Sequence, residues 1–176
     1  MQRRLLRDGQ IVIDDWRYVA EAAAEPAAPL IVTLDQWRQE PDTWLARGSR
    51  LGIVLSPAHH VEQLASDLAH FALIAAQFSG PSEGRGYTQA RQLRDHWNFK
   101  GELRAIGYVR RDQLFFMARC GFNSFELPET DIEDAYSAFS TFTAAYQPSN
   151  DLGLAHKLRR SASLSQAPVR VYRAAE

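Results

Sequence analysis

Four short apolar runs recur along the chain, and segments with helical spacing separate them. They cover residues 51–55, 73–78, 103–107 and 124–127. Strands that are joined through one helix run in the same direction, because the crossover returns the chain to its starting edge. The sequence therefore predicts an α/β fold with a mainly parallel sheet built from repeated strand-helix units. These units are too few for a complete eight-unit barrel, which leaves an open sheet or a partial barrel.

The segments between the apolar runs carry signals for helix starts and ends. Ser56 followed by Pro57 predicts a helix over residues 57–68. Residues 112–119 are expected to be helical and to end at Gly121, where a left-handed cap favours glycine. Capping-box spacing predicts two further helix starts. These are Thr33 with Gln36, and Thr130 with Glu133.

The two ends of the chain depart from this pattern. Residues 11–13 form a β-branched run that predicts a strand or hairpin arm. Residues 21–29 contain two prolines and little packing material, so they predict a connecting loop. Toward the C-terminus the apolar periodicity fades and basic residues outnumber acidic ones. We therefore expect one domain over residues 1–146 and a C-terminal extension over residues 147–176 that is mobile or docked on a partner.

Composition argues against several classes of function. The 20 basic and 21 acidic residues give a formal net charge of -1, so the overall field does not steer the protein toward nucleic acid or an anionic membrane. No segment is long and apolar enough to span a membrane, and the N-terminus lacks the apolar run of a signal peptide. A single cysteine excludes an internal disulfide, and the five histidines show no metal-ligand spacing. These features predict a cytoplasmic protein without a bound metal.

The loop after the second apolar run is the strongest candidate for a binding site. In parallel α/β sheets, ligands bind beyond the carboxyl ends of the strands. Gly84 and Gly86 allow backbone amides to approach an anion, and Arg85 offers a planar fork of donors beside a helix N-terminus. Tyr87 and Arg91 follow on the same helix. The alternative is a surface loop whose glycines only turn the chain, because this pattern matches no nucleotide-binding signature.

The loop after the third apolar run supplies further candidates. Arg111 places a cation at a helix start, against the helix dipole, and so calls for an anionic partner from protein or ligand. Asp112 is expected to cap that helix or to hold an arginine in place. Cys120 lies at a helix carboxyl end, which disfavours a thiolate, so we expect it to have a packing role. The sequence identifies neither a catalytic residue nor a cofactor.

Two stretches of the chain resemble a known family. GRGYTQARQLR, from Gly84, and GELRAIGYVRRDQLFFMARCGF, from Gly101, resemble the bacterial domain-of-unknown-function 934 family, whose members are commonly encoded beside a sulfite or nitrite reductase haemoprotein. Glu83 stands where the family usually has Asp, and Tyr108 replaces an acidic residue. The matching positions are Gly84, Arg85, Gly86, Tyr87, Arg91, Arg94, Gly101, Glu102, Arg104, Arg111, Asp112, Gln113, Cys120 and Gly121.

The resemblance implies an accessory protein of assimilatory sulfite reduction. The residues themselves indicate the site at which it would bind an oxyanion or a phosphorylated ligand, with Asp112 and Gln113 as supporting candidates. The family is often labelled a probable oxidoreductase, although this sequence carries no recognisable redox centre. A second hypothesis is an enzyme acting on an anionic metabolite, with Arg85 and Arg111 holding the anion and Asp112 or Tyr87 moving a proton. A third is a non-catalytic adaptor that docks on the sulfite reductase haemoprotein. Convergence of Arg85, Arg91 and Arg111 on one pocket would favour an anion site.

Overall fold

The computed structural model describes residues 3–19 and 28–135, which form one eight-stranded sheet with short helices. The strands are β1 (Arg4–Arg7), β2 (Gln10–Ile13), β3 (Arg17–Tyr18), β4 (Leu30–Thr33), β5 (Leu51–Leu55), β6 (Phe71–Phe78), β7 (Glu102–Gly107) and β8 (Ser124–Phe125). The α-helices are α1 (Leu34–Gln39), α2 (Pro41–Ala46), α3 (Arg85–Arg91), α4 (Leu114–Cys120) and α5 (Glu129–Ile132).

The strand order is β2-β1-β8-β7-β6-β5-β4-β3. Strands β3 to β8 pair in parallel, whereas β1 runs antiparallel to both β2 and β8. The predicted α/β class and mainly parallel sheet are therefore confirmed, and the four apolar runs are the adjacent strands β5 to β8. Among the described strands, antiparallel pairing enters only through the N-terminal hairpin, which the apolar runs did not indicate.

The connection between the two edge strands shows that the sheet is strongly curled. Edge strands β2 and β3 are joined by residues 14–16 alone. Neighbouring strands lie about 4.8 Å apart and an extended residue spans at most ~3.6 Å, so this link cannot cross a flat sheet of eight strands. The sheet instead forms an open half-barrel, and the link runs across its concave side.

Alternation along the strands gives the sheet two different faces. The outer face packs against the helices through a large apolar core, to which Ile74 of β6, Leu103 of β7 and Leu114 of α4 contribute. The inner face holds a smaller cluster around Trp16, Leu73 and other apolar residues. A Cβ at Gly52 would lie 3.2 Å from the Trp16 ring, so the 14–16 link packs directly onto β5. Because both faces are covered, β5 and most of β6 read as continuous apolar runs.

The helix predicted over residues 57–68 is absent. This crossover contains two short 3-10 turns, Val61–Leu64 and Leu68–His70. The Ser56 amide donates to Nδ1 of His59 at 3.1 Å. The Gln89 side chain donates to the carbonyls of Ser56 and His59 at 2.9 and 2.8 Å. These carbonyls would belong to the first turn of the predicted helix, and a side chain from outside the segment occupies them instead. The predicted repetition of strand-helix units therefore does not hold at this crossover.

Of the other local predictions, some are confirmed, one is wrong, and two fall mostly or wholly outside the described residues. The Thr33–Gln36 capping box starts α1, and α4 ends at Gly121 with φ 112°, as expected. The second predicted capping box is wrong, because α5 starts after Pro128 and Thr130 lies inside it. Residues 11–13 belong to a hairpin arm, as predicted. The expected loop over residues 21–29 falls mostly outside the described residues, and the extension over residues 147–176 falls wholly outside them.

Candidate functional site

The loop that leaves β6 lies at the carboxyl edge of the parallel sheet, and it presents Arg85 to solvent. Gly84 is the N-terminal cap residue of α3, and the backbone N–H of Arg85 donates to Oε1 of Glu83 at 2.9 Å. The Arg85 side chain is exposed, and among the described residues its guanidinium has no hydrogen bond or ion pair. The loop thus combines a helix N-terminus with a cation that no described residue pairs.

The two glycines of the loop have different roles. Gly84 has φ -101° and ψ -10°, which other residues adopt freely, and a Cβ there would meet no atom within 4 Å. Gly86 is buried, and a Cβ there would lie 2.5 Å from the Phe78 ring. Gly86 therefore allows α3 to pack closely on β6, whereas Gly84 leaves open space beside Arg85. Neither glycine occupies a backbone conformation that requires glycine.

Tyr87 and Arg91 face α4 rather than the loop. The Tyr87 ring packs edge-on against Phe78 at a centroid distance of 5.1 Å and against Phe116 at 5.0 Å. Burial raises the pKa of the Tyr87 hydroxyl, which makes the hydroxyl a poorer proton donor near neutral pH. Arg91 hydrogen-bonds to Cys120, at the C-terminal end of α4, whereas Arg111 precedes the start of that helix. Arg91 and Arg111 therefore lie near opposite ends of α4, and Arg85 is the candidate arginine that stays at the loop.

Cys120 is buried, as the sequence predicted, with a relative exposure of 1%. Burial raises the pKa of its thiol, and the neighbouring Arg91 and Arg119 guanidinium groups offset only part of that effect. The environment therefore favours the neutral thiol, in agreement with a packing role.

Arg94 forms a structural unit with the glycines of the family motifs. Its guanidinium donates to the carbonyls of Gly121, Phe99 and Gly101 at 3.0, 2.6 and 3.0 Å. Burial lowers the pKa of this guanidinium. A Cβ at Gly121 would lie 2.5 Å from Cγ of Arg94, and at Gly101 it would lie 2.6 Å from the carbonyl oxygen of Ala72. Close packing explains these motif residues without any ligand.

Arg104 is the second structural arginine, and its side chain has 0% exposure. It donates to both carboxylate oxygens of Asp14 at 3.0 and 3.1 Å, and to Oε1 of Glu102 at 2.9 and 2.8 Å. Asp14 also accepts from Arg3 at 2.9 Å. Burial lowers the pKa of Arg104, but the two carboxylates outweigh this effect and raise it. We call Arg3, Asp14, Glu102 and Arg104 the inner-face charge network.

Sequence reasoning did not identify this network, although β7 carries a signal for it. Glu102 and Arg104 alternate with the apolar Leu103 and Ala105, and alternate residues of a strand point to the same face. That pattern indicates a charged pair on one face of an otherwise apolar strand. It does not indicate Asp14 as the partner, because Asp14 lies far away in the chain.

The loop after β7 places the remaining candidates in a separate cleft. Oε1 of Gln113 accepts the backbone N–H of Arg110 at 3.1 Å, so Gln113 takes the capping role that was expected of Asp112. Nε of Arg111 donates to the carbonyl of Asp134 at 3.1 Å. The cleft has a volume of about 320 Å³. Its lining residues are Arg110, Arg111, Asp112, Thr130, Asp131 and Asp134.

In the part of the chain that the structure describes, the helices are short and the metal-ligating side chains are dispersed. There, no three His, Cys, Asp or Glu side chains are grouped so that they could hold a metal ion. Over the same residues, no helix has the length and apolar character needed to cross a membrane.

Comparison with known proteins places the chain in a family. Residues 52–155, more than half of the chain, match the bacterial proteins of unknown function grouped as DUF934. The sequence has no match among curated proteins. The matched region includes the Arg85 loop, the Arg94 unit and Arg104, but it excludes strands β1 to β4. The chain belongs to the DUF934 family.

Proposed function

We propose that the protein is an accessory factor of assimilatory sulfite reduction and that it binds a small oxyanion or a phosphorylated ligand at residues 84–87. The observation that supports this binding site is the exposure of Arg85 and the lack of a partner for its guanidinium among the described residues. Arg94 and Arg104 are engaged by carbonyls and carboxylates of the fold. Arg85 is exposed at the carboxyl edge of the sheet, and no described residue pairs with its guanidinium.

The local chemistry of the loop suits an anion. The Glu83 carboxylate already accepts the Arg85 backbone N–H at 2.9 Å, so this amide has the geometry to bind a carboxylate oxygen. Helix α3 continues into a π-helical turn, Gln92–His96, which lengthens the row of aligned peptide dipoles behind the loop. An external oxyanion would displace Glu83 from the amide and gain the Arg85 fork, which Glu83 does not use.

The link to sulfite reduction rests on the family resemblance. Sulfate, sulfite and phosphate esters share the small, oxygen-rich anionic group that an arginine fork and backbone amides recognise. The formal net charge of -1 provides no general attraction for these anions, so their binding would depend on the local site.

Calorimetry on the full chain with sulfite, sulfate and glycerol phosphate tests the binding site. Arg85→Ala should weaken binding of the preferred anion by roughly 10- to 100-fold, which corresponds to the loss of a charge-assisted hydrogen bond. Glu83→Gln should strengthen binding, because it removes the competing negative charge. Arg38→Ala, at an exposed arginine of α1, is the matched control and should change nothing. Equal affinity in wild type and Arg85→Ala would rule out this site.

Growth of a deletion strain tests the cellular role. Loss of the gene should impair growth on sulfate but not on cysteine, and sulfide should rescue it. A copy with Arg85→Ala should not restore growth, whereas a copy with Arg38→Ala should. Normal growth of the deletion strain on sulfate, with no second copy present, would reject the role in sulfite assimilation while leaving the calorimetric result intact.

A second candidate function is that of an adaptor that docks on the sulfite or nitrite reductase haemoprotein. The observation that favours it is the exposure of two aromatic side chains near the carboxyl edge, Phe116 at 52% and Tyr108 at 39%. Aromatic residues are enriched in protein interfaces. Copurification with the haemoprotein should be lost in Phe116→Ser if this surface docks, and should persist in Arg85→Ala. Failure of the wild-type protein to copurify would reject the adaptor.

A further inference from the structure

The cleft between the β7–α4 loop and α5 has none of residues 84–87 among its lining residues. We call it the β7–α5 cleft. It lies beyond the carboxyl end of β7, where α/β proteins bind ligands. Its volume of about 320 Å³ lies at the lower end of the range of roughly 300 to 1,000 Å³ that is typical of small-molecule sites. All six lining residues are polar or charged, so the cleft suits a small polar ligand rather than an apolar one.

The charges of the lining residues restrict the class of ligand. Two arginines and three aspartates face the same space. A simple oxyanion would lie close to the carboxylates, and a simple cation would lie close to the guanidinium groups, so like-charge repulsion opposes both. A molecule with one group of each sign gains on both sides.

Arg110 and Asp131 face each other without a direct hydrogen bond. The distance from an Arg110 guanidinium nitrogen to Oδ2 of Asp131 is 3.8 Å, beyond the range of about 2.7 to 3.2 Å for such bonds. The other carboxylate oxygen of Asp131 accepts the Thr130 hydroxyl at 3.0 Å. Arg110 is 49% exposed and Asp131 is 22% exposed, so both charges remain accessible. The pair is therefore loose enough to accept oppositely charged groups of a ligand.

From these contacts we propose that the β7–α5 cleft binds a small zwitterion that carries a carboxylate and an ammonium group, such as an α-amino acid. The carboxylate pairs with the Arg110 guanidinium, and the ammonium group pairs with Asp131. Arg111 also lines the cleft, and its Nε donates to the Asp134 carbonyl at 3.1 Å, which ties the loop to the segment after α5. This binding does not depend on the oxyanion site at Arg85.

Saturation-transfer NMR on the full chain tests the ligand class. The common L-α-amino acids, each at millimolar concentration, are the probes. The strongest binder is then compared with its N-acetyl derivative, which lacks the ammonium group, and with its amide, which lacks the carboxylate. Both derivatives should bind at least about tenfold more weakly, because each loses one charge-assisted contact. Absence of transfer to every amino acid, or equal binding of both derivatives, would overturn the proposal.

Two conservative variants test the location. Arg110→Gln and Asp131→Asn keep the size of each side chain while removing its charge, and each should weaken amino-acid binding by at least about tenfold. Arg38→Gln is the control that should leave this binding unchanged. Circular dichroism and thermal melting verify the fold of each variant. Undiminished binding in both cleft variants would place the ligand elsewhere and overturn the assignment.

Discussion

The arginine on the inner face of the half-barrel and the arginine at its carboxyl edge differ in exposure and in pairing. On the inner face, Arg104 is inaccessible to solvent and its guanidinium is held by Asp14 and Glu102. At the carboxyl edge, Arg85 is exposed and no described residue pairs with its guanidinium. Both arginines lie in the region that matches the family and in the stretches that resemble its motifs. The pairing of an arginine in the fold, rather than its place in a motif, therefore distinguishes a structural residue from a candidate for binding.

The physical reason is the cost of removing a charge from water. A buried guanidinium is tolerated only when carboxylates and carbonyls replace its lost hydration, and this replacement leaves no donors for a ligand. An exposed guanidinium keeps its hydration and contributes little to stability, so it remains available for binding. If this comparison is correct, substitutions on the inner face should change stability, and substitutions at the edge should change binding.

The largest effect is expected for Arg104→Met. The variant leaves Asp14 and Glu102 as poorly compensated charges on the inner face, where Asp14 is 2% exposed. Breaking a buried ion pair from one side costs about 3 to 5 kcal/mol of unfolding free energy. Urea denaturation monitored by circular dichroism measures this loss.

The exposed Arg38→Met variant is the control for Arg104→Met, and it should lose less than about 0.5 kcal/mol. A loss below about 1 kcal/mol in Arg104→Met would show that water replaces the missing guanidinium. In that case the inner face would not differ from the edge in the way described above.

The next effect distinguishes two glycines of the family motifs. Gly121→Ala places a Cβ 2.5 Å from Arg94 at a backbone φ of 112°, so we expect a loss of about 2 to 3 kcal/mol. Gly84→Ala adds a Cβ in open space at an ordinary backbone conformation and should cost less than about 1 kcal/mol. Thermal melting compares the two variants, and equal melting temperatures would contradict this assignment.

The parallel sheet was readable from the sequence because its strands are buried on both faces. Residues 51–55 were predicted as a strand and are β5, and residues 73–78 lie within β6. Strand β1 was missed because its first and last residues are arginines, so its two buried leucines do not form an apolar run long enough to predict a strand. The sequence left an open sheet and a partial barrel as alternatives, and it could not decide between them because the curl depends on the pairing of β1 with the distant β8.

The candidate site could be predicted only in part, because some of its features are local and others depend on tertiary contacts. The position of Arg85 at a helix start followed from local sequence, because helix starts and strand ends are local features. The hydrogen-bond partners of Arg91 and Arg111 depended on which groups pack beside them. The partner of Arg91 is Cys120, and that of Arg111 is the Asp134 carbonyl. Such partners are set by tertiary packing, which a single sequence does not show.

A smaller effect is expected at Cys120. Burial raises its thiol pKa, so the unfolded chain releases this proton at a lower pH than the folded protein does. The thiol's contribution to stability is therefore complete below the unfolded pKa and is lost as pH rises through the folded pKa. Alkylation by iodoacetamide near neutral pH should be much slower in the folded protein than in urea. Cys120→Ala should cost about 1 kcal/mol and remove this pH dependence.

The alkylation rate also tests the distinction between buried and exposed groups. Rapid modification of the folded protein near neutral pH would show that the thiol is accessible and ionised. That result would contradict both the burial of Cys120 and its packing role. The Cys120→Ala variant serves as the blank for modification at other side chains.

The smallest effect on stability is expected for Arg85→Ala, and this variant tests the comparison from its other side. Since the Arg85 guanidinium has no partner among the described residues, its removal should change the unfolding free energy by no more than about 0.5 kcal/mol. Urea denaturation at low and high salt measures this change, and the value should not depend on salt. A loss above about 1 kcal/mol would mean that Arg85 supports the fold, as Arg104 does. Weaker anion binding in that variant would then no longer indicate a site. A neutral result makes any change in anion affinity attributable to the guanidinium itself, because the loop that carries it is otherwise intact.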